Sequence, residues 1–316
     1  MRLVIWLDLL QIPIYGCAVI AGLVLGWQAP STSSQLGVAV DPAVVILICA
    51  TLCAVPFSQL PAALKNGKFL SCLVVVNFLI VPAVVAALCL LLIDDPTLLL
   101  PILLVLLAPC VDYVIVFSRM AGGNWQSLLV ATPILMLMQL VLLPVYLSVA
   151  PGATQVVSHW QPFLRAFGLF ILLPMVVALV LQRWGVKVMP VIELLMVPLL
   201  AITLFIVVGA HTGTILQHLQ QLWAVVPIFI CFGVVMPIIG NLWGKWRGLD
   251  VATRCVLSFS ATTRNSLVVL PFALALIPVI PLAPVVVVTQ TVVELMVMVV
   301  LVASWRRVLG RGSKVR

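Results

Sequence analysis

A chain of 316 residues has room for two soluble domains, but 65 % hydrophobic and only 8 % charged residues exclude that reading, since soluble domains carry about 25 % charge. A mean hydropathy of +1.34 agrees, and the composition describes an all-α polytopic membrane protein. The net charge of +8, from 16 Lys and Arg against 8 Asp and Glu, points to basic cytoplasmic loops rather than to nucleic acid.

About 20 apolar residues are needed to cross the hydrocarbon core. Breaking the apolar runs at charged and Pro/Gly clusters predicts ten spans, roughly 9–28, 40–59, 69–92, 98–118, 127–149, 162–182, 189–210, 222–243, 252–277 and 283–304. The first is read as retained rather than cleaved: its leading region holds Arg2 alone, Asp8 interrupts it, and no small-residue cleavage site follows. With both termini cytoplasmic in a plasma or inner membrane, 14 of the 16 basic residues fall on one side, as the positive-inside rule asks. Trp27, Trp125, Trp160, Trp184, Trp243 and Trp305 fall near span ends, where an aromatic belt is expected. The eight cysteines all lie in or beside apolar runs, and Cys49 and Cys53 share a helix face with no His or second Cys pair to complete a metal site. They read as buried thiols.

Two spans are interrupted in matching ways. The fourth reads Ala108-Pro109-Cys110-Val111-Asp112-Tyr113 at mid-depth, and the ninth reads Thr262-Thr263-Arg264-Asn265-Ser266. Cys110 and Asn265 are 155 residues apart, and the same offset carries Gln139 onto Glu294. This spacing predicts two inverted five-helix repeats, 1–150 and 151–316, with helices 4 and 9 interrupted, an arrangement that marks substrate sites in secondary transporters.

Ionisable groups at membrane depth carry the functional expectations. An Arg at a helix centre costs about 2.5–3.5 kcal/mol even on the mild insertion scale, so Arg264 needs a partner, with Asp112 first and Glu294 second as a coupling or structural ion pair. Asp112 also reads as a cap after the Pro109 break. For Glu294, burial favours the neutral acid and a nearby Arg favours the carboxylate, a balance suited to proton exchange. Cys110 alone among the cysteines lies in a break, and thiolates bind soft centres such as trivalent arsenic and antimony. No Walker A, HExxH, GxSxG or paired CxxC motif is present, so there is no catalytic constellation.

Ala108-Pro109-Cys110, with Arg119 to Ser127 after it, resembles the fourth helix of the bile acid:sodium symporter superfamily and its arsenite-permease branch. Thr263-Arg264-Asn265-Ser266 resembles the ninth helix, and Glu294 a glutamate of the last helix in arsenite permeases. The resemblance implies an inverted-repeat fold whose helices 4 and 9 unwind where they cross, with Cys110 as the arsenite ligand. The sodium-dependent branch carries Glu where Ser260 stands and Gln where Arg264 stands, and many members of the superfamily carry Asp where Asn124 stands. The expectation is therefore a non-enzymatic secondary transporter without a cofactor, driven by a proton rather than a sodium gradient. It exports arsenite or antimonite, binds substrate through Cys110, Arg264 and Asn265, and works in the lipid bilayer without nucleic acid. The alternative is transport of an organic anion, with Arg264 on its carboxylate.

Overall fold

In the third apolar stretch, Asn66 accepts a hydrogen bond from the Phe69 N–H (3.4 Å) and starts a predominantly apolar helical stretch of 26 residues, Gly67–Leu92. Side-chain caps of this kind start three of the described helices of the computed structural model. It describes residues 2–54, 65–93, 95–111, 113–149, 168, 172–183, 189–217, 219–277 and 280–312. In chain order these form α1 (Arg2–Gln28), α2 (Pro30–Ala54), α3 (Gly67–Val75), a π turn (Val76–Ile80), α4 (Val81–Leu92), α5 (Pro96–Leu106), α6 (Tyr113–Met120), α7 (Trp125–Val149), α8 (Leu173–Arg183), α9 (Met189–Ala210), α10 (Thr212–Gln217), α11 (Leu219–Trp246), α12 (Val251–Thr262), α13 (Ser266–Ala275) and α14 (Ala283–Gly312).

The architecture is all-helical. Among the described residues five helices are long and apolar enough to cross a membrane: Ser31–Cys53, Gly67–Leu92, Trp125–Ser148, Leu219–Trp246 and Ala283–Leu309. Pro13–Gln28, Pro96–Leu106 and Val197–Ala210 are shorter apolar helices. Residues 162–167 and 169–171 of the expected span 162–182 lie outside the described residues. Large apolar side chains stay exposed on many of the helices, among them Val38, Leu79, Leu90, Leu91, Val141, Ile202, Val234 and Val300, as surfaces that face lipid do.

Two compact units share the chain. The first comprises Met1–Ala54, Gly152–Ala224 and Ser266–Thr289. Within it α1 and α2 pack on α9, and α2 also meets α8 and α13. Close approach of α1 and α9 depends on missing side chains: a Cβ on Gly22 would come within 2.7 Å of the Phe205 carbonyl, and one on Gly26 within 2.5 Å of the Gly209 carbonyl. Small residues four apart permit this approach of backbones, and Ser33 Oγ donates to the Gly209 carbonyl beside it (2.6 Å).

The second unit comprises Val55–Pro151, Val225–Asn265 and Gln290–Arg316. Here α12 packs against α3, α6 and α7. Asp95 caps α5 by accepting from the Thr97 N–H (2.9 Å) and hydroxyl (2.7 Å), with Pro96 at the first helical position, where its missing N–H costs nothing. Asp250 caps α12 by accepting from the Thr253 N–H (3.1 Å). Burial pushes the Asp250 carboxyl up, but hydrogen bonds from the Thr253 side chain and from the backbone of Thr253, Asp250 and Ala252 outweigh it and leave it below the usual carboxylate range. The cap's contribution is therefore complete above the ordinary aspartate pKa and is lost as pH falls through the lowered folded value. Asp250→Ala should destabilise the protein by about 1 kcal/mol at neutral pH. A thermal-melt series in detergent checks this: the gap between parent and variant should close toward acid.

Candidate functional site

Both interruptions are legible in local chemistry. Pro109 lacks an N–H and disfavours helical geometry at Ala108, and α5 ends at Leu106, with residues 107–111 non-helical. In α12 the hydroxyls fold back onto their own helix: Ser258 Oγ donates to the Arg254 carbonyl (3.0 Å), Thr262 Oγ1 to Ser258 (2.7 Å) and Thr263 Oγ1 to Phe259 (2.8 Å). Such back-bonding competes with the backbone ladder, and the helix stops at Thr262, with Thr263 extended at φ −80°, ψ 137°.

The two breaks pair with each other. The Asn265 N–H donates to the Ala108 carbonyl (2.7 Å) and the Cys110 N–H to the Thr263 carbonyl (3.2 Å). Pro109 thereby stands opposite Arg264 in an isolated antiparallel bridge. Non-helical backbone at membrane depth is tolerated only where its polar groups are met inside the protein. Here each break supplies what the other lacks.

Arg264 is fully buried. Its Nη2 donates to the Ser260 carbonyl (2.7 Å), the Ala261 carbonyl (2.7 Å) and Asn77 Oδ1 (3.1 Å), and Nη1 donates to the Leu106 carbonyl (3.3 Å). The Phe232 ring lies against the guanidinium, its centroid 5.3 Å from Cζ, close enough for a cation–π contact. The Arg264 Nε–H has no partner among the described residues.

Glu294 projects from α14 into the same region, 4 % exposed. Its Oε2 accepts from the backbone N–H of Arg264 (2.8 Å) and from Gln290 Nε2. The Tyr113 hydroxyl lies 2.6 Å from Glu294 Oε1 and 2.9 Å from the Arg264 carbonyl oxygen. A phenol has one hydrogen, so it donates to one of these oxygens at a time. With Glu294 ionised, the carboxylate takes that hydrogen. With Glu294 protonated, its own hydrogen can go to the phenol oxygen, and the phenol donates to the carbonyl. The three groups thus have two self-consistent hydrogen-bond patterns that differ by one proton on Glu294.

The structure brings Cys110, Arg264, Asn265 and Glu294 into one unit. Cys110 and Asn265 are both fully buried, and Asn265 Nδ2 donates to Gln139 Oε1 (3.4 Å). Asp112 lies outside the described residues, and the pairing expected between it and Arg264 falls there too. Glu294 meets Arg264 through the backbone N–H, while the hydrogen bonds of the guanidinium among the described residues go to carbonyls and Asn77. Sequence reasoning missed Asn77, Tyr113, Gln290 and Phe232. A lone Asn inside the run Leu73 to Ile80 was one available signal, because an amide in hydrocarbon needs partners.

A family model described as the Sodium Bile acid symporter family matches residues 41–218, more than half of the chain. The chain belongs to this family. No curated protein matches its sequence. The matched stretch includes the Cys110 break and ends before Arg264, Asn265 and Glu294. Membership in the symporter family makes the chain a multi-pass membrane transporter and sets it apart from enzymes at family level.

Proposed function

We propose that this family member is a secondary active transporter that exports arsenite or antimonite in exchange for protons. It works without a cofactor from a plasma or inner membrane. The observation that carries the reading is the paired crossing itself, with a cysteine, Cys110, fully buried within it. A soft thiol at an interrupted-helix crossing is suited to a soft trivalent centre. Glu294 would carry the proton, because its hydrogen-bond partners accommodate both of its protonation states and tie each to the backbone of the break after α12. Asn265 and Arg264 would shape the crossing, and Asp112 would act beside them as coupling group or cap. Uptake of labelled arsenite into inverted vesicles, with and without an imposed pH gradient, tests the proposal. Uptake that ignores the gradient removes proton coupling, and no uptake removes the metalloid.

One observation favours a second reading, transport of an organic anion. Arg264 Nε and Gln139 Nε2 are buried donors without partners among the described residues, and a carboxylate accepts from such donors. A labelled carboxylate in the same vesicles separates the two readings.

The proposal includes ten spans in two inverted repeats, 1–150 and 151–316, with cytoplasmic termini. Reporters fused after Lys68, Lys187 or Lys245 should then report cytoplasm, and those near Asp95 or His218 the outside. Opposite locations for Lys68 and Lys245 would break the repeat.

A further inference from the structure

Three main-chain oxygens around Arg264 have each lost their helical donor for the same reason. In an α-helix the carbonyl of residue i takes the N–H of residue i+4. The Ser260 carbonyl would take the N–H of Arg264, which is spent on Glu294 Oε2. The Ala261 carbonyl would take that of Asn265, which is spent on the Ala108 carbonyl. The Leu106 carbonyl would take that of Cys110, which is spent on the Thr263 carbonyl. The crossing therefore leaves bare carbonyls at the C-terminal ends of both α5 and α12, where the helix dipoles are negative.

A fourth oxygen is turned toward them. The π turn at Val76–Ile80 carries Asn77, and π turns are common at functional sites. Asn77 Nδ2 donates to the Leu73 carbonyl (3.0 Å) and to Ser260 Oγ (3.0 Å). The amide is thereby oriented with Oδ1 on the Arg264 side. Bare carbonyls at half-helix C-termini are how broken-helix transporters hold monovalent cations.

We propose that the Arg264 guanidinium is a built-in cation occupying a monovalent-cation site formed by the Ser260, Ala261 and Leu106 carbonyls and Asn77 Oδ1. The charge that a dissociable alkali cation would bring and remove is here covalently attached. In this structure, among the described residues, the tethered guanidinium alone fills the site. The inference goes beyond the transport reading and needs neither its substrate nor its proton.

The test uses purified full-length protein without arsenite or a pH gradient, so its outcome is separable from that of the transport assays. Thermal unfolding is followed in sodium, potassium, lithium and choline chloride at matched ionic strength. The parent should melt at the same temperature in all four. Arg264→Ala should melt lower than the parent in choline and regain part of the loss in at least one alkali salt. Arg264→Lys, which keeps a tethered cation, should remain indifferent to the salt. Stabilisation of the parent by an alkali cation over choline overturns the proposal. So does an Arg264→Ala protein that gains nothing from any alkali salt, or that cannot be recovered folded in any of them.

Discussion

Inverted vesicles carrying Cys110→Ser should accumulate arsenite no faster than vesicles without the protein, while the variant inserts at the parent's yield. Serine keeps the size and the hydrogen-bonding capacity of cysteine but not the soft, ionisable sulfur. The backbone bond from residue 110 to the Thr263 carbonyl does not involve the side chain, so the crossing should survive the change. Serine at the other cysteines provides the contrast. Cys72 and Cys255 are equally buried, but they lie within α3 and α12 rather than in a break, and their replacement should leave flux near the parent's. Parental export by Cys110→Ser would refute thiol recognition and pass the lead to the organic anion.

Glu294→Gln should abolish the response of transport to a pH gradient and leave folding nearly intact. The amide is close to a permanent copy of the protonated acid. Its NH₂ can donate to the phenol oxygen of Tyr113, whose hydrogen then serves the Arg264 carbonyl, while the amide oxygen accepts from the Arg264 N–H and from Gln290. All the bonds around the position can therefore be remade, and the stability loss should stay below the roughly 1–3 kcal/mol of an orphaned buried donor. Glu294→Ala lacks that repair and should melt well below the amide variant. The decisive measurements are flux against imposed pH gradient and melting temperature in detergent. Gradient-driven flux at the parental level in Glu294→Gln would move the coupling role away from this carboxyl.

The helical class was legible from residue types, and so were several of the polar residues that the structure brings together. Charged and amide groups in hydrocarbon must find partners, so Arg264, Asn265 and Glu294 stood out against their surroundings. Pro109 marked its break only together with the polar residues after it, since Pro101, Pro133 and Pro227 lie inside continuous helices. The form of the partnership was less legible. Desolvation cost says that Arg264 needs acceptors but does not distinguish a carboxylate from helix-end carbonyls, and the carbonyls become available only because the two breaks divert each other's N–H groups. Asn77 escaped notice because a π turn has no strong sequence signal and displaces a side chain by one residue from its regular register. Tyr113 and Gln290 look like ordinary membrane-helix residues until Glu294 is placed beside them.

The bridge between Pro109 and Arg264 makes the two interruptions interdependent. Straightening α5 would return the Cys110 N–H to its own helix and strip the Thr263 carbonyl of its donor. Straightening α12 would likewise strip Ala108. Neither defect can be repaired alone without stranding a polar group of the other in an apolar interior. A single substitution that restores ideal helix at one break is therefore penalised at the other, and the pair should be lost or retained together.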